Sequence, residues 1–148
     1  MEKFLQTGTV RSLNVSQKKG TRKAPVPSIV IDSSGIAGDA HAGPWHRQIS
    51  FLADESADRM REKMPSIAPG DFAENITTRG INFKEVRIGN KIKAGSAILE
   101  VTQIGKECHS ECEIKRQVGS CIMPVEGVFA RVISGGTVSE GDEVAIYE

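Results

Sequence analysis

The apolar residues of this chain come in short runs, and most of them alternate with polar ones. A period of two turns one face of a segment to a core and the other to solvent, which is the pattern of a β-strand. Such runs occupy residues 9–15, 26–31, 48–52, 86–93, 97–104, 128–133 and 144–147. Turn chemistry separates them. Ala94-Gly95 lies between two runs as a hairpin signal, and Gly135-Gly136 and Gly141-Asp142 mark further turns. Many short strands joined by glycine turns predict a mainly β fold, a barrel or a sandwich.

One segment breaks the pattern. Ala57, Met60 and Met64 recur at helical spacing, Asp54 is suited to an N-cap, and Pro65 is a stop. These residues predict a helix over 54–64 with its methionines packed on the core. A second, shorter helix is predicted over 110–116. No linker or low-complexity tract interrupts the chain, so residues 1–148 are expected to form one domain.

The 19 Lys and Arg residues balance 19 Asp and Glu residues. A neutral chain carries no electrostatic argument for nucleic acid or an anionic membrane. Its one basic run, Lys18, Lys19, Arg22 and Lys23, reads as a solvated loop. The first residues have no apolar signal-peptide core, and no run approaches the ~20 apolar residues of a spanning helix. A cytoplasmic protein is expected. Three cysteines are an odd number and argue against a disulfide framework.

Four segments carry chemistry. Gly35-Ile-Ala-Gly-Asp-Ala-His-Ala-Gly43 holds three glycines, including Gly38, with Asp39 and His41. It lacks the Gly-Lys-Ser/Thr of a phosphate loop. Asp39 either orients His41 or bonds its own backbone. Trp45-His46-Arg47-Gln48 offers a ring, an imidazole, a fixed cation and an amide, and arginine suits bidentate anion contact. Glu74 and Asn75 are polar residues in front of a strand, where a structural role is expected. Cys108 lies between Lys106 and His109, with Cys112 and Cys121 beyond. Neighbouring cations lower a thiol pKa and make the sulfur a nucleophile or metal ligand; a buried inert cysteine is the alternative. Cys108, Cys112, His41 and His46 together supply a zinc-type ligand set, although the spacing is not that of a zinc finger.

Taken together, these segments resemble the MOSC domain, the module at the C-terminus of molybdenum-cofactor sulfurases. The matching stretches are Lys23-Ala-Pro-Val26, Gly35 to His41, Arg47-Gln48, Gly70-Asp-Phe-Ala-Glu-Asn-Ile76 with Thr77, Ile88-Gly89 with Gly95, Gln103 to Cys108, and Gly127 to Val132 followed by Gly141-Asp142. The resemblance implies a mainly antiparallel barrel of the type also inserted in pyruvate kinase. It implies that Cys108 carries sulfur as a persulfide or ligates molybdenum, a sulfurtransferase-type activity. It further implies that Lys23, Arg47 and Arg79 hold the phosphate of a molybdopterin cofactor near Gly38, Asp39, His41 and His46. Many relatives place Pro and Arg where this chain has Ile104, Gly105 and Glu107, and that departure leaves the substrate open. No pyridoxal-phosphate anchor is identified, so a separate cysteine desulfurase would load the sulfur. Molybdenum-cofactor biosynthetic or target enzymes are the other expected partners. A cofactor chaperone without chemistry and a metal-binding module remain the alternatives.

Overall fold

The longest strand organises the molecule. The computed structural model describes residues 4–19, 21–105 and 126–148. Within it, β1 (Phe4–Val15) pairs with three partners in succession along its length. These are β11 (Glu143–Tyr147), β6 (Ile76–Arg79) and β2 (Ala24–Val26). With β7 (Lys91–Ala94), β8 (Ala97–Ile104), β9 (Val128–Ser134) and β5 (Ile49–Ala53), the ring runs β1-β11-β7-β8-β9-β5-β6 and returns to β1. The product is a closed seven-strand barrel. Closure removes the open edges that would invite pairing with another chain. Most pairings are antiparallel; β5 and β6 run parallel. A small sheet of β10 (Gly136–Ser139), β3 (Ser28–Asp32) and β4 (Gly35–Ile36) completes the architecture.

Two apolar clusters hold it together. Leu13, Ile49, Phe51, Ile76, Leu99 and Val128 fill the barrel. On the other side of the wall, helix α1 (Asp54–Arg61) and the chain after it cover Leu52, Phe72 and Phe129 with Ala57 and Ile67. Strand β5 is therefore buried on both faces, which is why its sequence, apolar except for Ser50, does not alternate. Each fully buried Leu or Phe stabilises by about 1.5–3 kcal/mol relative to exposure.

Four local expectations are corrected. Asp54 does not cap the helix: Ala53 holds the cap position, and no side chain bonds there. Instead the buried Asp54 carboxylate meets Arg61 at 2.5 Å and Arg79 at 2.6 Å. The helix ends at Arg61 rather than Met64. Pro65 disfavours helical backbone at Met64, and the last turn unwinds before it. Met60 and Met64 nevertheless pack on the outer cluster. Residues 86–93 are not one strand. A 3-10 turn over Phe83–Glu85 precedes them, and β7 begins at Lys91. Asn90 explains the break, because its Oδ1 accepts the backbone N–H of Arg87 and closes a turn. Finally, Gly136 opens β10 instead of forming a turn with Gly135. The helix expected over 110–116 lies outside the described residues.

Candidate functional site

The site begins with a carboxylate that the fold takes out of water. Asp39 follows β4 through a turn whose N–H bonds the carbonyl of Ile36. Gly38 precedes it at φ 85°, a backbone conformation in which glycine is unstrained. Oδ1 of Asp39 meets Nζ of Lys23 at 2.7 Å, and both side chains are fully buried. The same oxygen accepts the N–H of Ser16, just past β1, at 3.1 Å, and Lys23 also donates to Ser16 Oγ at 3.0 Å. Oδ2 accepts the backbone N–H of His41 at 3.0 Å and lies 3.5 Å from His41 Nδ1. Burial alone pushes this carboxyl up. The hydrogen bonds from His41 and Lys23, with the ammonium charge, outweigh burial and hold Asp39 well below the usual carboxylate range. Asp39 thus stays ionised and fixes the loop bearing His41.

A stack of rings extends from His41. Trp45 Nε1 donates to the His41 carbonyl at 2.7 Å, and the two rings lie nearly parallel with centroids 6.3 Å apart. Two cations rest on the Trp45 ring: Arg47 at 4.6 Å and Lys19 at 4.7 Å from its centroid. Arg47 also lies 5.6 Å from the Phe129 centroid, so two aromatic rings flank its guanidinium. Its Nε is buried and has no hydrogen-bond partner among the described residues. Gln48 anchors the stack to the barrel. Its amide nitrogen donates to the carbonyls of Ser33 and Gly43, and its oxygen accepts the N–H of Val132 in β9 at 2.8 Å.

A bulge in β8 completes the site. The β8–β9 register shifts between Val101 and Gln103. Bulges re-aim side chains, and here Thr102 donates to the carbonyl of His46. Gln103 Oε1 lies 2.7 Å from His46 Nε2, while its own Nε2 donates to the Gly105 carbonyl at 2.7 Å. An amide nitrogen used as donor leaves its oxygen as the acceptor, so His46 carries a proton on Nε2. Gly105 in turn donates to the carbonyl of Gly127 at 2.7 Å, which joins the two flanks of the cysteine-bearing segment.

The structure brings Lys23, Gly38, Asp39, His41, His46 and Arg47 together around the Trp45 ring and the Asp39 carboxylate. Cys108, Cys112, Cys121, Lys106 and His109 lie outside the described residues. Two of the cations have carboxylate partners within the chain. Lys23 faces inward, where its ammonium is a counter-ion to Asp39. Arg79 belongs to the acidic cluster of α1, bound to Asp54 and to Asp58 at 3.4 Å. Sequence reasoning gave no site role to Lys19, Thr102, Gln103 or Phe129. The basic run containing Lys19 has no local mark that separates one lysine from another. Glu74 and Asn75 have the expected structural role: Glu74 accepts the N–H of Phe72, and Asn75 ties β5 to β1. No metal-holding group of three His, Cys, Asp or Glu occurs among the described residues. A cleft of about 650 Å³ between α1 and the Phe83 turn, lined by Arg59, Lys84 and Ile104, includes none of the expected site residues.

A family model, described as the MOSC domain, matches residues 38–145. This chain belongs to the MOSC domain family. The match takes in Asp39, the Trp45–Gln48 segment and β8, while Lys19 and Lys23 precede it and join the site through the fold. Among solved structures, this MOSC domain resembles the YuaD protein from Bacillus subtilis. Identity is 20%, the TM-score is 0.80, and the match covers 100% of this chain and 99% of that one. It also resembles YiiM from Geobacillus stearothermophilus, with 21% identity, a TM-score of 0.74 and coverage of 95% and 75%. YiiM from Escherichia coli follows, with 19% identity, a TM-score of 0.68 and coverage of 96% and 69%. At these identities the likeness is one of fold. A comparison with curated proteins finds no match. No described helix is long and apolar enough to cross a membrane.

Proposed function

We propose that this MOSC domain binds the molybdenum cofactor or carries sulfur for its maturation or delivery, with Cys108 as persulfide carrier or molybdenum ligand. One observation supports the reading above the others. The Asp39–His41 pair, the Trp45–Arg47 stack and the His46–Gln103 contact converge on the strand that leads, within a few residues, to Cys108. These groups fit an anionic cofactor. The buried Arg47 Nε has no acceptor among the described residues; its guanidinium lies over the Trp45 ring, on which His41 stacks and which His46 meets edge-on. When bound, the molybdenum centre would supply the redox and ligand-exchange chemistry. The chain's own residues would bind and orient. Arg47 would meet negative charge, His46 would line the site with its Nε2–H held by Gln103, and Asp39 would hold His41 in place.

Sulfur loading is then a simple exchange. The Cys108 thiolate attacks the outer sulfur of a persulfide on a cysteine desulfurase, the donor thiolate leaves, and Cys108 becomes the persulfide. The test is native mass spectrometry of the purified protein, repeated after incubation with a desulfurase and cysteine. A bound pterin, or a gain of one sulfur mapped to Cys108 and absent from Cys108→Ser, is the expected result. Sulfur that maps to Cys112 or Cys121, with no pterin bound, overturns it.

A further inference from the structure

We propose that the cleft between α1 and the Phe83 turn, at the mouth of the barrel, binds an uncharged apolar molecule about two rings in size that carries one hydrogen-bonding group. The proposal rests neither on Cys108 nor on the Trp45 stack. Three observations carry it.

The first is what the cleft is made of. Its volume is about 650 Å³, within the range of about 300–1,000 Å³ that small organic ligands occupy. Ala53, Ile81, Phe83 and Val128 form its floor, and all four belong to the apolar filling of the barrel. Strands β5 and β8 end at this level and β9 begins here, so the cleft is an open end of the barrel, a place where such folds hold ligands. Ile104 closes β8 and lines the same cleft, yet it is 44% exposed. Taking such apolar surface out of water drives binding without any help from charge.

The second is the rim. Glu55, Arg59, Lys84 and Glu126 bring two charges of each sign, so the rim has no net charge. Arg59 pairs with Glu126 at 2.5 Å, and Glu55 accepts the N–H of Gly80 at 2.8 Å. Gln6 and Asn82 exchange two hydrogen bonds, of 2.8 and 2.7 Å, which hold the start of the Phe83 turn. The walls are thus in place before a ligand arrives, and little ordering remains to be done. An ion would give up its hydration over an apolar floor, with no net opposite charge to replace it. Ser56 differs from the other polar groups. Its hydroxyl makes no hydrogen bond among the described residues, and it can donate or accept. It supplies the polar contact that orients the ligand.

The third is separation from the ring stack. Successive side chains of a strand point to opposite faces. Gln103 and its partner Phe129 serve the stack, whereas Ile104 and its partner Val128 line the cleft. A molecule in the cleft therefore occupies the other face of β8 and β9 and leaves the stack free.

The experiment uses the full chain, labelled with carbon-13 at the isoleucine δ1 methyl groups. Ile81 and Ile104 report on the cleft; Ile88 and Ile133 are exposed elsewhere and report unspecific apolar binding. 2-Naphthol, 2-naphthoate and 2-naphthylmethylamine offer one ring system as a neutral molecule, an anion and a cation at pH 7. With 2-naphthol, saturable shifts are expected at Ile81 and Ile104 and not at Ile88 or Ile133. Either ion should bind about tenfold or more weakly, because its charge loses water. Ile104→Asp should weaken 2-naphthol by about tenfold or more, and Ser56→Leu, which fills the cleft from the helix, should abolish binding. Ile88→Ser should bind as the wild type does. Ile104 is partly exposed, so Ile104→Asp keeps the fold and provides the deciding substitution. No saturable shift, equal shifts at Ile88 and Ile133, an ion bound as tightly as 2-naphthol, or wild-type affinity in Ile104→Asp overturns the proposal. Naphthol binding without persulfide or pterin would leave the cleft site standing and sink the sulfur and cofactor reading. Persulfide on Cys108 without naphthol binding would do the reverse.

Discussion

Replacing Lys23 with methionine keeps the length of the side chain and removes its charge from inside the protein. Asp39 remains, with its side chain fully buried, and loses a partner at 2.7 Å. The carboxylate keeps the N–H groups of Ser16 and His41, but no cation replaces the ammonium on Oδ1. Breaking a buried pair from one side costs about 3–5 kcal/mol, because an uncompensated charge is left behind. For a domain of this size each kcal/mol lowers the melting temperature by about 2–4 °C, so a fall of about 10–15 °C is expected at pH 7. The pH dependence gives the sharper test. In the wild type the Asp39 carboxyl is held below its ordinary range, so its stabilisation is present at neutral pH and fades only in strong acid. In the variant the hydrogen bond and charge of Lys23 are gone, so the carboxyl moves up from its wild-type position while the bonds from Ser16 and His41 remain. Less stabilisation then comes from its ionisation at pH 7, and the gap between the two proteins narrows in acid, where the variant's carboxyl takes up its proton first. Urea unfolding of both proteins at pH 7 and pH 3 measures the difference. A loss under about 1 kcal/mol at pH 7, or a loss that does not shrink at pH 3, would refute the account of the pair.

Three further outcomes are expected. Cys108 should alkylate faster at pH 7 than Cys112 or Cys121, since Lys106 and His109 flank it in sequence; a fast phase that survives Cys108→Ser would reassign the nucleophile. Gly70→Ala should destabilise by about 2 kcal/mol or more in thermal unfolding, because the residue sits at φ 90° and a Cβ there would come within 2.2 Å of the Lys23 carbonyl; a neutral effect would mean the loop is not pressed on Lys23. Burial raises the Glu74 carboxyl, so wild-type stability declines as pH rises past the unfolded carboxylate range, and the cost of Glu74→Gln measured by urea unfolding should shrink between pH 5 and pH 8. A cost that grows over that interval contradicts the direction of the shift.

Local pattern alone determined the class of this molecule. The alternation over residues 97–104 matches β8 residue for residue, and the closing runs match β9 and β11 within a residue or so, because a strand with one face in a core must alternate whatever its partners are. Order and spacing of short motifs also sufficed for the family. What local pattern could not supply is pairing. Nothing near Asp54 announces that its carboxylate leaves the cap position for Arg61 and Arg79, which lie further along the chain. Nothing within the basic run separates Lys23, drawn inside by Asp39, from Lys19, drawn onto Trp45. Those fates depend on which loops the closed barrel sets side by side. Burial then turned an ordinary lysine and aspartate into an internal ion pair, and a bulge at Thr102 aimed Gln103 at His46. Charge and hydrogen bonding act through space over a few ångströms. Only the tertiary structure decides which residues are that close.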